Sequence, residues 1–104
     1  MAAALPPMPA AAQDRHARPF MLMNLGPATV VSVELSAAGQ GQYGASLIGR
    51  VELPAGSALH LTPPSRMDCR ADLRIRFEDG RTDERAGEDL CRAQHIIRVS
   101  SAPR

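Results

Sequence analysis

The stretch 69–78 constrains this chain more than any other. Its odd positions are Cys69, Ala71, Leu73, Ile75 and Phe77, and its even positions are Arg70, Asp72, Arg74, Arg76 and Glu78. Strict alternation sends the two sets to opposite sides of an extended backbone, so the segment requires a strand with one buried and one wet face. Asp79-Gly80 follows it. That pair signals a hairpin, because glycine tolerates positive φ and aspartate can bond its own backbone.

The rest of the chain uses the same short period. Strands are expected at 20–25, 29–35, 50–53, 57–62, 69–78, 81–85 and 95–99. The first reads as apolar on both faces. It is expected to form a hairpin with the second across Asn24-Leu25-Gly26-Pro27, where glycine and proline supply turn chemistry. In the second strand Thr29, Val31, Val33 and Leu35 share one face. The stretch 36–44 is a loop by composition, with Tyr43 packing beneath it and one helical turn over 45–48. Pro63-Pro64 stops the strand before the central one, since neither proline can donate to a ladder. The 81–85 strand is polar and suits a sheet edge, and 87–91 reads as a turn. About seven short strands at regular spacing, without sustained helical periodicity, predict an all-β fold: a small antiparallel β-sandwich of immunoglobulin-like type. The expected core is Phe20, Leu22, Val31, Val33, Leu59, Leu61, Leu73, Ile75, Phe77, Ile97 and Val99.

At 104 residues the chain holds one domain. The expected division is a tail or truncated signal-peptide remnant at 1–17, then the sandwich at 18–104. Ala10-Ala11-Ala12 before Gln13 looks like the small-residue end of a secretory signal, although a basic region and an apolar run are missing. No stretch is apolar for long enough to span a membrane as a helix. The net charge of +1 offers no electrostatic case for nucleic acid. All 12 basic residues are arginine, a bias that GC-rich coding explains without a functional need for guanidinium. Phe20, Phe77 and Tyr43 are the only aromatics. The core is therefore thin, and a covalent staple would help it. Cys69 and Cys91 permit one intramolecular pairing, which an oxidising compartment would make a disulfide and the cytosol would leave as two thiols. The bridge would close a loop of about 23 residues, worth roughly 3 kcal/mol in the chain-entropy account. The cysteines fall on separate elements and could tie two layers.

Several spaced elements resemble a known group. They are Asn24-x-Gly26 before Thr29-Val30, then Tyr43-Gly44-x-x-Leu47-Ile48-Gly49, then Leu53-Pro54-x-Gly56-x-x-x-x-Leu61. Cys69-x-x-Asp72-Leu73-Arg74-x-x-Phe77-x-Asp79-Gly80 and Asp89-Leu90-Cys91 complete the pattern. Together they resemble small exported bacterial domains in which the aromatic-glycine element is commonly Trp-Gly. The resemblance covers about residues 19–99. It implies an all-β fold, a signal peptide, periplasmic or secreted residence and a disulfide. It implies no catalytic residue, since the group has no assigned activity.

Candidate chemistry is sparse. Cys91 and His95 have ligand-like spacing, and Cys69 and His60 could complete a zinc tetrahedron, but no Cys-x-x-Cys or His-x-x-x-His pair is present. Asp79, Asp83, Glu84, Glu88 and Asp89 are suitable hard ligands for calcium. They lack the spacing of a calcium loop, and Arg81 and Arg85 interleave with them. No nucleophile elbow accompanies the histidines. Arg70, Arg74 and Arg76 form a row that could bind an anionic ligand or protein, with Asp72 expected to pair with its arginine neighbours on that face. Tyr43 adds a recognition side chain. The expected function is thus a small exported binding or structural module, monomeric or weakly dimeric, acting on a protein or small ligand without cofactor or metal. The alternatives are a small metal-dependent or hydrolytic enzyme using the acidic cluster or the histidines, and an edge-strand partner in a larger assembly.

Overall fold

The computed structural model describes residues 16–92 and 95–101. Most of the expected N-terminal segment lies outside them. Ala17 and Arg18 are already hydrogen-bonded to the body, donating to the carbonyls of Met67 at 2.8 Å and Leu90 at 2.7 Å.

Six strands are formed: β1 (Phe20–Asn24), β2 (Val30–Ala37), β3 (Ala58–Leu61), β4 (Arg70–Phe77), β5 (Thr82–Asp89) and β6 (Ile96–Val99). They make two three-stranded sheets, β3-β1-β6 and β2-β4-β5, stacked as a small β-sandwich. The long alternating segment is β4, the centre of its sheet. Ala71, Leu73, Ile75 and Phe77 are buried as the alternation demands. The Asp79-Gly80 turn joins it to β5: Gly80 has φ of 88°, and its N–H donates to the Phe77 carbonyl at 3.0 Å.

Four expectations need correction. First, β1 and β2 do not form a hairpin but lie in different sheets, and β1 pairs in parallel with β6. The Asn24 side chain organises the crossover between layers. Its Nδ2 donates to the carbonyls of Ala28 at 2.8 Å and Leu53 at 2.9 Å, and its Oδ1 accepts the Gly26 N–H at 2.8 Å. Second, 50–53 is not a strand; a single bridge joins Leu53 to Val30. Third, the inward face of β2 is not the expected one at its start. A bulge between Val30 and Ser32 inserts an extra residue, so Val30 is buried and Val31 is half-exposed, while Val33 and Leu35 remain inside. A bulge shifts the alternation by one, which periodicity alone does not reveal. Fourth, 87–89 continues β5 rather than turning, and the chain turns after it at Leu90 and Cys91.

The disulfide between Cys69 and Cys91 is formed, with their Cα atoms 5.1 Å apart. It does not tie the two layers. Arg70 pairs with Asp89 across the ladder, so the bridge clasps the open end of the β4–β5 hairpin within one sheet.

The core joins the inward residues of both sheets, with Phe20, Leu22, Leu73 and Ile75 among its largest members. Leu59 is only partly buried. Ile48, Leu53 and Leu90 enter the core from loops and turns. β1 is not apolar on both sides for burial's sake. Met21 and Met23 are half-buried on the outer face of their sheet, and Leu25 beyond them is 59% exposed.

Two outcomes test this architecture. Reducing the disulfide should destabilise the protein by roughly 3 kcal/mol, read as a shift in a denaturant midpoint with and without a thiol reductant. Asn24→Ala removes two donors and one acceptor from a buried site, and should cost about 2–4 kcal/mol in the same measurement.

Candidate functional site

The outer face of β2-β4-β5 carries most of the side chains that the sequence marks. Their positions follow from strand register. Glu34 on β2 stands opposite Arg74 on β4, and Arg74 stands opposite Glu84 on β5. The Arg74 Nε donates to Glu34 Oε1 at 2.6 Å, and Arg76 Nε reaches the same oxygen at 3.4 Å. Ser32 donates its hydroxyl to the other oxygen of Glu34 at 3.2 Å. The Tyr43 ring, brought over by the loop after β2, covers the Arg74 guanidinium with its centroid 4.1 Å from Cζ. A cation held over an aromatic face is attracted by the ring quadrupole. Arg74 is thereby fixed on two sides, while the Arg76 side chain remains 49% exposed. Tyr43 therefore packs against a guanidinium.

Glu34 takes part in this cluster although its type and position gave no warning. Burial pushes its carboxyl pKa up. The Arg74 hydrogen bond and charge, the Ser32 hydroxyl and the Arg76 charge together outweigh that and hold it below the usual range. One carboxylate thus keeps two guanidiniums together on a surface where they would otherwise repel.

Arg70 and Asp72 serve another purpose. Asp72 does not pair with its arginine neighbours. Its Oδ2 accepts the Gly39 N–H at 3.0 Å and its Oδ1 accepts the Gly87 N–H at 2.9 Å. The β4–β5 register shifts between Ala71 and Leu73, so β5 has a bulge facing Asp72. Gly87 sits in that bulge with φ of 65°. A bulge leaves a backbone donor out of the ladder, and the Asp72 carboxylate takes it. Arg70 Nη1 donates to the carbonyl of the same Gly87 at 2.9 Å. The pair therefore completes the bulge from both sides, and Asp72 also ties the loop after β2. The amides of Gly39 and Gly87 lower its pKa.

The acidic residues after β4 disperse. Asp79 accepts the Arg81 N–H at 2.9 Å, Asp83 holds Arg85 through two bonds of 3.0 Å, and Asp89 accepts the Cys91 N–H at 3.0 Å. Glu88 meets His95 at 3.3 Å. Among the described residues, the one set of three histidine, cysteine or acidic side chains with ligand atoms within 4.8 Å of one another is Cys69, Asp89 and Cys91. Its two sulfurs are joined to each other. With the sulfurs joined, the two cysteines are not available as thiolate ligands for the zinc tetrahedron weighed as an alternative.

His60 and His95 are separated by β1, and the His95 ring is turned to Glu88. They line a cleft of about 300 Å³ on the other sheet with Pro19, Phe20, Met21 and Ile96, a wall without a hydroxyl or thiol nucleophile. A larger cleft of about 770 Å³ lies along the seam between β5 and β6. Two guanidiniums bridge that seam: Arg85 Nη2 donates to the Arg98 carbonyl at 2.6 Å, and Arg81 Nη1 to the Ser101 carbonyl at 2.7 Å. Bonding to Asp83 raises the Arg85 pKa, which keeps this strut charged.

Acid should loosen the β2-β4-β5 sheet. Carboxylates whose pKa is lowered by folding contribute stability that is present above the unfolded value of about 4 and is lost as pH falls through the folded value. Both Glu34 and Asp72 have that sign. The denaturation midpoint should fall below pH 4, and the fall should be shallower in a Glu34→Gln, Asp72→Asn variant.

No family model matches the chain, and no curated protein does. Among solved structures it is similar to the NMR structure of a protein from Eubacterium rectale, at 10% identity, a TM-score of 0.55, and coverage of 86% of this chain and 82% of that one. At that identity the likeness extends to the fold alone: the two chains share a β-sandwich plan.

Proposed function

We propose that the protein is a small exported binding module, and that it presents the outer face of β2-β4-β5 to a carboxylate-bearing segment of a partner protein. The observation that carries this reading is the Glu34–Arg74–Arg76 cluster under Tyr43. Arg74 is immobilised by a salt bridge and a ring, and Arg76 stands beside it half-exposed. Arginine offers a planar fork that matches a carboxylate, and a guanidinium already fixed in place loses little further freedom when a ligand arrives. The side chains project from paired strands, and such positions hold recognition groups more rigidly than loops do.

Export is supported by the disulfide, because such bridges persist in oxidising compartments and are rare in the cytosol of mesophiles. The resemblance to small exported domains points the same way. No helix among the described residues is long and apolar enough to cross a membrane. Protein recovered from the periplasm of an expressing bacterium should be lighter by two hydrogens than the same protein after reduction. A free-thiol mass there would overturn the exported reading.

Recognition is tested by titrating isotope-labelled protein with a glutamate-rich peptide and, separately, a lysine-rich one, following amide and arginine side-chain signals. Shifts centred on Tyr43, Arg74 and Arg76 are expected with the acidic peptide alone. Arg76→Ala should weaken that binding about tenfold, as the loss of a charge-assisted bond does. Equal shifts with both peptides, or shifts elsewhere, would remove the assignment.

A further inference from the structure

The segment that leads into β1 crosses the sulfur bridge. His16, Ala17 and Arg18 precede Pro19, and β1 begins at Phe20 in the β3-β1-β6 sheet. The Ala17 N–H donates to the Met67 carbonyl at 2.8 Å and the Arg18 N–H to the Leu90 carbonyl at 2.7 Å. The first acceptor lies two residues before Cys69, and the second lies directly before Cys91. The His16 carbonyl oxygen is 3.2 Å from Cys91 Sγ. Ala17 and Met67 are half-buried and packed against the core.

The two acceptors belong to different stretches of the other sheet. Met67 leads into β4 and Leu90 follows β5, so this strap is held where those two ends lie side by side. The β5 bulge interrupts the ladder near that end. Beyond it stand the pairs Ala71 with Glu88 and Arg70 with Asp89, then the Leu90 N–H bond to the Cys69 carbonyl at 2.7 Å, and then the disulfide. Short ladder ends fray at little cost in free energy, and a covalent link across this one suppresses the fraying. A strap bound at two points gains from each contact only while the two acceptors keep a fixed spacing.

We propose that the strap at 16–18 is a redox-gated latch: with Cys69 and Cys91 joined it is docked on Met67 and Leu90, and with both reduced to thiols it is released while the sandwich stays folded. Opening the bridge takes up two electrons and two protons, supplied by a dithiol that is itself oxidised to a disulfide. The latch shares no side chain with the arginine face. Its state follows the compartment: the chain ahead of β1 is accessible to proteases under reducing conditions and shielded once the bridge has formed.

The test follows amide hydrogen exchange by nuclear magnetic resonance in the full labelled chain, oxidised and after treatment with a dithiol. The Ala17 and Arg18 amides should exchange at least about tenfold faster after reduction, the population change that losing two ordinary backbone hydrogen bonds brings. Amides of the β2–β4 ladder should remain protected, which shows the reduced chain to be folded. Oxidised protein in enough urea to lower its stability as far as reduction does should show no comparable acceleration at Ala17 and Arg18, which separates the latch from a general loss of stability. Trypsin gives a second readout, since its site after Arg15 is followed by the docked residues and Arg18 is followed by proline. Cleavage between Arg15 and His16 should be at least about tenfold faster in the reduced chain, in proportion to the open population. A Cys69→Ser, Cys91→Ser chain should match the reduced form without any reductant. Equal exchange at Ala17 and Arg18 in the two forms, equal acceleration by urea with the bridge intact, or loss of β2–β4 protection on reduction would each overturn the latch.

Discussion

Two three-stranded sheets stacked face to face leave four edge strands, and a chain this small must close them or offer them to other chains. Each edge here is treated differently. The free side of β2 is covered by the loop that follows it. Gly44 and Leu47 donate to the carbonyls of Leu35 and Val33, Ser46 Oγ accepts the Val33 N–H, and Leu53 exchanges two bonds with Val30. The facing edges of β5 and β6 are bridged by Arg81 and Arg85, whose guanidiniums occupy backbone carbonyls that a docking strand would need. β3 is kept to four residues. With its edges occupied or short, the sandwich leaves its two outer faces as its broadest open surfaces. The same constraint weakens the idea of an edge-strand partner entering at β6.

Those faces differ because strand alternation is applied differently in each sheet. In β2-β4-β5 the outward positions of β4 are charged, and a single half-buried carboxylate on the same face, Glu34, organises two arginines into a cluster. In β3-β1-β6 the outward positions include Met21, Met23, Ile96 and His60, a softer and less charged surface. Asp72 lies on the charged face but works on the backbone. It joins a loop on one side of β4 to a bulge on the other, and so holds the three strands at the register that lines up Glu34 with Arg74.

Much of this was legible in the sequence wherever a single strand obeyed its own period. The β4 alternation, the Asp79-Gly80 turn, the polar edge character of β5 and the pairing of Cys69 with Cys91 all follow from local pattern or from cysteine count. What could not be read was long-range or irregular. The β2 bulge exchanges Val31 for Val30 in the core, and no periodicity announces it. The crossover at Asn24 looks like any turn until its side chain is seen bonding to Leu53, 29 positions away. Asp72 was expected beside arginines because strand neighbours at i and i+2 share a face. The amide released by a bulge at Gly87 attracted it more strongly than a solvated guanidinium could. The placement of β1 between β3 and β6 is a topology that the expected hairpin of the first two strands would have forbidden.

The absence of lysine takes on a physical meaning at three positions, whatever process produced the composition. Arg85 makes two bonds to Asp83 and a third to the Arg98 carbonyl. An ammonium is a compact point charge that cannot span a carboxylate in one strand and a carbonyl in another with the same fixed plane. Arg74 presents one edge of its fork to Glu34 and its flat face to Tyr43, and lysine has no flat face to offer. Arg81 reaches Ser101 across the seam while its backbone N–H remains on Asp79. A chain with so few aromatics cannot rely on core size for rigidity, so planar cations that bind two groups at once do part of that work at its surface. The Glu34 cluster is an extension of the same device: Arg74 holds it together through salt bridge and ring, and Arg76, attached by a single long contact, is the freer of its two guanidiniums.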